Sequence, residues 1–127
     1  MAMLKFTKKI LADEAIDVYN QGDLRRDFTH VDDIVEGFTL AVATPLGYTI
    51  VNLGRGEPTE LMLYIKLLEK ALGVTAKKNM LPMQQGDVYE TYADTKKAKK
   101  LLGFEAKVDI EKGVESFVDW YRSYYLR

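Results

Sequence analysis

The chain has 127 residues, 47% of them hydrophobic and 29% charged, with a formal net charge of −1 and no cysteine. It is long enough for one folded domain that buries roughly two-thirds of the surface its unfolded chain exposes, and too apolar for a disordered segment. The charge balance excludes a global pull toward nucleic acid or anionic membrane. The lack of cysteine excludes disulfides, thiolate catalysis and zinc–thiolate sites, and is compatible with a cytoplasmic location. No apolar run approaches the roughly 18 residues of a membrane span, and Lys5, Lys8 and Lys9 precede no signal-type stretch.

In chain order, residues 2–13 read as a helix, with Leu4, Ile10 and Leu11 on one stripe and Phe6 at its edge. Ile16 to Tyr19 reads as a short strand, closed by the turn residues Asn20-Gln21-Gly22-Asp23. Phe28 to Val31 is a second extended piece. Asp32 is placed to cap a helix running to about Thr44, with Ile34, Val35, Phe38 and Val42 on one side, stopped by Pro45-Leu46-Gly47. Tyr48 to Leu53 is a β-rich run ending at Gly54-Arg55-Gly56. Pro58-Thr59-Glu60 then opens a helix whose Leu61, Ile65, Leu68 and Leu72 recur at helical spacing before Gly73. Val74 to Leu81 predicts a strand. Asp94 or Thr95 caps a lysine-rich helix ending at Gly103, and Asp109 caps a last helix with Ile110, Val114, Phe117, Val118 and Tyr121 on its apolar face. The expected class is α+β, a single domain over residues 1–127.

Several groups carry candidate chemistry beside a plainer reading. Arg25 and Arg26 follow a turn, where guanidinium forks can clamp a diphosphate; ordinary surface arginine is the alternative. The single histidine, His30, with Asp32 and Asp33 lacks a spacing that gathers all three on one metal, so no metal site is expected. Gly54-Arg55-Gly56 resembles a phosphate loop, but neither a full dinucleotide fingerprint nor a Walker pattern follows, and a tight turn is the simpler role. Lys96, Lys97, Lys99 and Lys100 fit a solvated face better than a nucleic-acid patch. Ser116 and Ser123 have no nucleophile-elbow context. Trp120, Tyr121, Tyr124 and Tyr125 read as core and a packed end. Tyr92 and Lys96 have dyad spacing, but Tyr92 precedes the helix that Asp94 caps, so no catalytic residue is assigned.

Three motifs in fixed order carry a resemblance: Arg25-Arg26-Asp27-Phe28-Thr29-His30-Val31-Asp32-Asp33, Val51-Asn52-Leu53-Gly54, and Gly86-Asp87 followed by Tyr92-Ala93-Asp94-Thr95-Lys96. With Ile16-Asp17-Val18-Tyr19-Asn20, Lys77-Lys78-Asn79-Met80-Leu81-Pro82 and Phe117-Val118-Asp119-Trp120-Tyr121, they make the chain from Met1 to about Tyr125 similar to the carboxy-terminal, substrate-binding half of extended short-chain dehydrogenase/reductases. The resemblance is to bacterial UDP-glucuronate 4-epimerases and close nucleotide-sugar epimerases. It implies a fold that lacks most of an amino-terminal Rossmann domain. It also implies a parent enzyme that removes and returns hydride at the sugar C4 through NAD, with no cofactor expected on this chain alone.

Residue by residue, the resemblance implies that Tyr19 packs at the uracil and pairs through its backbone. Arg26 would contact the diphosphate, and Asp87 would accept from the ribose hydroxyls. Gln84 stands where many sugar epimerases carry a second phosphate-binding arginine. The implied partners are a UDP-sugar, and either the missing Rossmann half or a second copy. Two other readings stay open: a stand-alone module that binds nucleotide sugar or only itself, and a truncated remnant. With the covering half missing, the Val51-Asn52-Leu53-Gly54 strand is expected to have a bare edge and the Asp32 to Thr44 helix an uncovered apolar face.

Overall fold

The computed structural model describes residues 2–125; Met1, where the resemblance begins, lies outside them. Five α-helices and four short strands are arranged along them. The helices are α1 (Ala2–Leu11), α2 (Val31–Ala43), α3 (Leu61–Leu72), α4 (Lys96–Leu102) and α5 (Ile110–Tyr125). The strands are β1 (Ile16–Val18), β2 (Arg25–Arg26), β3 (Thr59–Glu60) and β4 (Lys78–Met80). They form two small sheets. In one, β1 and β4 run parallel, with Asp17 opposite Asn79; in the other, β2 and β3 run antiparallel, with Arg26 opposite Thr59. The class is α+β, as the residue pattern predicts.

The main core lies between α1, β1, α3 and α5. Leu61, Tyr64, Ile65, Leu68 and Leu72 from α3 meet Val114 and Val118 from α5, with Ile10, Ile16 and Val18 closing the cluster. The α3 residues recur every three or four positions, so one face of that helix is apolar and its burial is what holds α5 in place. Gly73 ends α3 in the left-handed conformation (φ 72°), where its amide donates back to the carbonyls of Glu69 and Lys70. A smaller cluster gathers Ala98, Leu102 and Phe104 against Leu40, Leu46, Val51 and Leu53. Gly37 lets α2 approach it: a Cβ there would lie 2.7 Å from the Leu53 side chain.

Several boundaries differ from the sequence expectations. Helix α1 stops at Leu11, which is exposed, and its inward face is Met3, Phe6, Thr7 and Ile10. The second extended piece lies at Arg25–Arg26, not at Phe28 to Val31, because β3 supplies partners only there. His30, not Asp32, caps α2: its Nδ1 accepts from the Asp32 amide at 3.2 Å. Thr59 and Glu60 pair as β3 before α3 begins at Leu61, and the Glu60 carboxylate accepts from Arg25 instead of capping the helix. The extended piece after Gly73 is confined to Lys78–Met80. Trp120, Tyr124 and Tyr125 are exposed, with Trp120 stacked on Tyr124 and Tyr125 edge-on to both; of the terminal aromatic group only Tyr121 is buried.

The largest departure is Tyr48 to Leu53, which is irregular. A strand needs a neighbour to satisfy its backbone groups, and no described segment pairs with it. Tyr48 is 97% exposed and Ile50 70%. The outer face of α2 is bare as well: Val31, Val35, Phe38 and Val42 recur at helical spacing and all lie exposed.

Such a contiguous apolar surface is unusual on a monomer. In the chain by itself it has solvent or a second copy to pack against, so the apparent mass in sedimentation is expected to rise with concentration. Val42→Asp, at a position 88% exposed, is expected to reduce that association without unfolding the chain. A monodisperse monomer at micromolar concentration would rule self-association out.

Candidate functional site

The segment from Arg25 to His30 is the spine of the site. Leaving β2, it sends alternate side chains to opposite sides. Arg25 turns to Glu60 (3.2 Å) and Glu90 (4.0 Å), whereas Arg26 turns to a groove between α1, β1 and the loop that carries Asp87. Arg26 Nη2 donates to Asp87 Oδ1 at 2.7 Å, and its Nη1 donates to the carbonyls of Arg25 and Tyr89 at 2.8 and 3.1 Å. The Asp87 carboxylate also accepts from the Val88 amide at 3.0 Å. The loop is tied back by two further bonds. Arg25 N donates to Tyr89 O at 2.9 Å, and the Tyr89 hydroxyl donates to Asp23 at 2.9 Å.

The groove has a volume of about 310 Å³, and Tyr19, Arg26 and Asp87 all line it, with Phe6 and Phe28 as apolar walls. Tyr19 opens a 3-10 turn, Tyr19–Gly22, in which Asn20, Gln21 and Gly22 all have positive φ. Two successive non-glycine residues in that region are costly. The turn is held from across the sheet, since Gln21 N donates to Leu81 O at 3.0 Å and Leu81 N donates to Val18 O at 2.9 Å. Gln84 is not brought in. Its side chain is exposed outside the groove lining, and its carbonyl only accepts from the Asp87 amide at 3.1 Å.

Two carboxylates that the motif reading left without a role turn out to be structural. Asp27 accepts from the amides of Arg55, Gly56 and Ala93 at 3.2, 2.9 and 3.0 Å, and from the Thr29 hydroxyl at 3.1 Å. Asp33 is 2% exposed and accepts from the amides of Lys107 and Val108 at 2.8 and 3.2 Å. The available signal for both was their place in the Arg-Asp-Phe-Thr-His-Val-Asp-Asp run; nothing in the sequence pointed to the distant amides they bind.

Phe28 stacks on the buried Tyr64 ring at 4.3 Å, and burial pushes the Tyr64 hydroxyl well above the usual phenol range. Among the described residues, no three acidic or histidine side chains gather as metal ligands, and no helix is long and apolar enough to cross a membrane. The lysines of α4 are exposed, and Tyr92 lies in the irregular segment before that helix.

The same architecture is found in known proteins. Residues 2–117 match the family model described as GDP-mannose 4,6 dehydratase, and the chain belongs to that family. Within it the chain is similar to nucleotide-sugar epimerases of the UDP-glucuronate 4-epimerase type. It is 41% identical to the UDP-glucuronate 4-epimerase of Thermodesulfobacterium geofontis, over 94% of this chain and 37% of that protein. It is 39% identical to the probable UDP-glucuronate 4-epimerase of Rhizobium meliloti, over 100% of this chain and 43% of that protein. The crystal structure of UDP-glucuronic acid 4-epimerase from Bacillus cereus, in complex with UDP-glucuronic acid and NAD, superposes with a TM-score of 0.90 at 31% identity. That match covers 98% of this chain and 40% of the other. The chain thus spans about 40% of the length of the relatives it matches.

The NAD held by that relative does not fit the glycine loop here. The amides of Arg55 and Gly56 are committed to Asp27, and a Cβ at Gly54 would lie 2.6 Å from that of Ala93, so the loop is packed, not cradle-like. Asp27→Ala would strand the amides of Gly56 and Ala93, that of Arg55 keeping the Thr29 hydroxyl at 3.0 Å, and the expected loss of unfolding free energy in urea is about 3 kcal/mol. A change below about 0.5 kcal/mol, the usual range for a neutral surface substitution, would show that the hub is dispensable.

Proposed function

We propose that this chain is the UDP-sugar-binding portion of an NAD-dependent nucleotide-sugar 4-epimerase acting on uronic sugars of the glucuronate and galacturonate type. One observation carries the reading. Tyr19, Arg26 and Asp87, which come from separate segments, line a single groove of about 310 Å³. Its chemistry suits a nucleoside diphosphate. A guanidinium presents paired donors to phosphate oxygens, a carboxylate accepts from a vicinal diol, and Tyr19 with Phe6 and Phe28 offers flat apolar surface to a base. In this reading Arg26 holds the diphosphate, Asp87 the ribose and the Tyr19 turn the uracil. Gln84 lies off the groove and takes no part unless the loop moves.

In this reading the chain's work is binding and orientation. The bare face of α2 with Tyr48 and Ile50 is where the remainder of an epimerase would cover this portion, and its exposure supports the reading. The same face favours a second reading, a self-associating module without catalysis.

A titration of isotope-labelled protein with UDP, followed by amide NMR shifts, is expected to give saturable changes clustered at Tyr19, Arg26 and Asp87. Arg26→Ala is expected to weaken UDP binding by roughly 1.5–3 kcal/mol, the loss typical of a charged hydrogen-bonding partner. Amide peaks that stay fixed at millimolar UDP would remove the groove from nucleotide binding.

A further inference from the structure

The groove contains one cation that the motifs do not mark. Four charged side chains line it: Lys5 from α1, Asp17 from β1, Arg26 from β2 and Asp87. Both acids are already matched. Asp17 accepts from Lys9 Nζ at 3.0 Å and from Asn79 Nδ2 at 3.1 Å, and the Lys9 bond holds its carboxyl below the usual carboxylate range. Asp87 is matched by Arg26 at 2.7 Å.

Lys5 is exposed, and among the described residues it has no hydrogen-bond or ion-pair partner. It stands one helical turn before Lys9 on the same side of α1. With Lys9 and Asp17 cancelling, and Arg26 and Asp87 cancelling, Lys5 is the uncompensated charge of the groove. A diphosphate bears more negative charge than one partly engaged arginine can balance, and Gln84 adds none from its place outside. An ammonium on a flexible stem is suited to reach a phosphate as a point charge.

We propose that Lys5 is a ligand-binding residue of this groove, contacting the phosphates of a nucleoside diphosphate from the α1 side while Arg26 contacts them from β2. This rests on the nucleotide reading of the groove given above. It assigns to α1 a direct part in binding, and it makes the diphosphate, not the nucleoside, the feature that Lys5 recognises.

The test compares UDP and uridine binding by calorimetry and amide NMR for the full chain, Lys5→Gln, Lys5→Arg and Lys8→Gln. Lys8 is the control, since it lies over the Tyr125 ring at 5.5 Å and does not line the groove. Lys5→Gln is expected to weaken UDP about tenfold, within the range for losing a charged hydrogen-bonding partner, and to leave uridine unchanged. Lys5→Arg is expected to restore UDP binding to within about threefold. Lys8→Gln should bind both ligands as the unaltered chain does.

If Lys5→Gln binds UDP normally while Arg26→Ala does not, the assignment of Lys5 is overturned and the nucleotide reading stands. Equal losses in Lys5→Gln and Lys8→Gln would also overturn it, since net charge would then be the cause. If the unaltered chain shows no saturable response to UDP, the nucleotide reading fails and the role of Lys5 fails with it.

Discussion

The carboxylate of Asp27 is the constraint on which the arrangement depends. It is bonded to amides from two segments distant in sequence, at Arg55–Gly56 and at Ala93, and to the neighbouring Thr29 hydroxyl. The chain just before Gly54 packs through Val51 and Leu53 in the smaller cluster, whereas Phe28 packs on the main core. One partly buried acid therefore sits where the two clusters are joined. Hydrogen bonds to a charged acceptor are the stronger kind, and these also fix the direction of the chain on either side of Asp27. With Asp27 turned to the amides, its neighbours Arg26 and Phe28 must turn the other way, and both line the groove. Asp33 acts similarly at the other end of the motif, tying the start of α2 to the segment that leads into α5.

The groove that results is rich in charge but nearly balanced. Arg26 binds Asp87 and the backbone of Tyr89, so the loop carrying Asp87 hangs on β2. A pair held in this way is preorganised: both groups already face the groove, and a ligand bearing phosphates and a diol would exchange one partner for another without ordering either side chain. These contacts are partly exposed, and their worth to stability is correspondingly small. Their value is positional.

The uncovered surface of α2 is the other prominent feature. A helix usually buries its apolar stripe, but here Val35, Phe38 and Val42 face solvent while the opposite side carries Asp33 and Gly37 inward. Helix α2 thus has apolar or buried residues on two sides, only one of which is packed. The matched relatives are more than twice as long as this chain, which accords with a portion whose outer face meets further structure. The irregular path of Tyr48 to Leu53 follows from the same circumstance, because a β-rich run without a partner cannot form a ladder.

Much of this molecule was legible in its residues. The α3 stripe from Leu61 to Leu72, the Gly73 and Gly103 stops and the Asp109 cap depend on local periodicity and capping chemistry, and each appears where the sequence places it. The motif order was sufficient for the family. Other features were decided only by tertiary contacts. The Tyr48 to Leu53 run has strand propensity, yet hydrogen-bonding partners alone make a strand. His30 displaced Asp32 as the cap because the helix begins two residues earlier. Likewise, Asp27 and Asp33 look like surface acids until distant amides are brought to them, and Lys5 looks like any helix lysine until Asp17 and Asp87 are seen to be matched by other cations. Sequence determines what a residue can do within a turn or two of its own position; which charge is left without a partner depends on the whole fold, because pairing is a property of distances that the chain closes only when it packs.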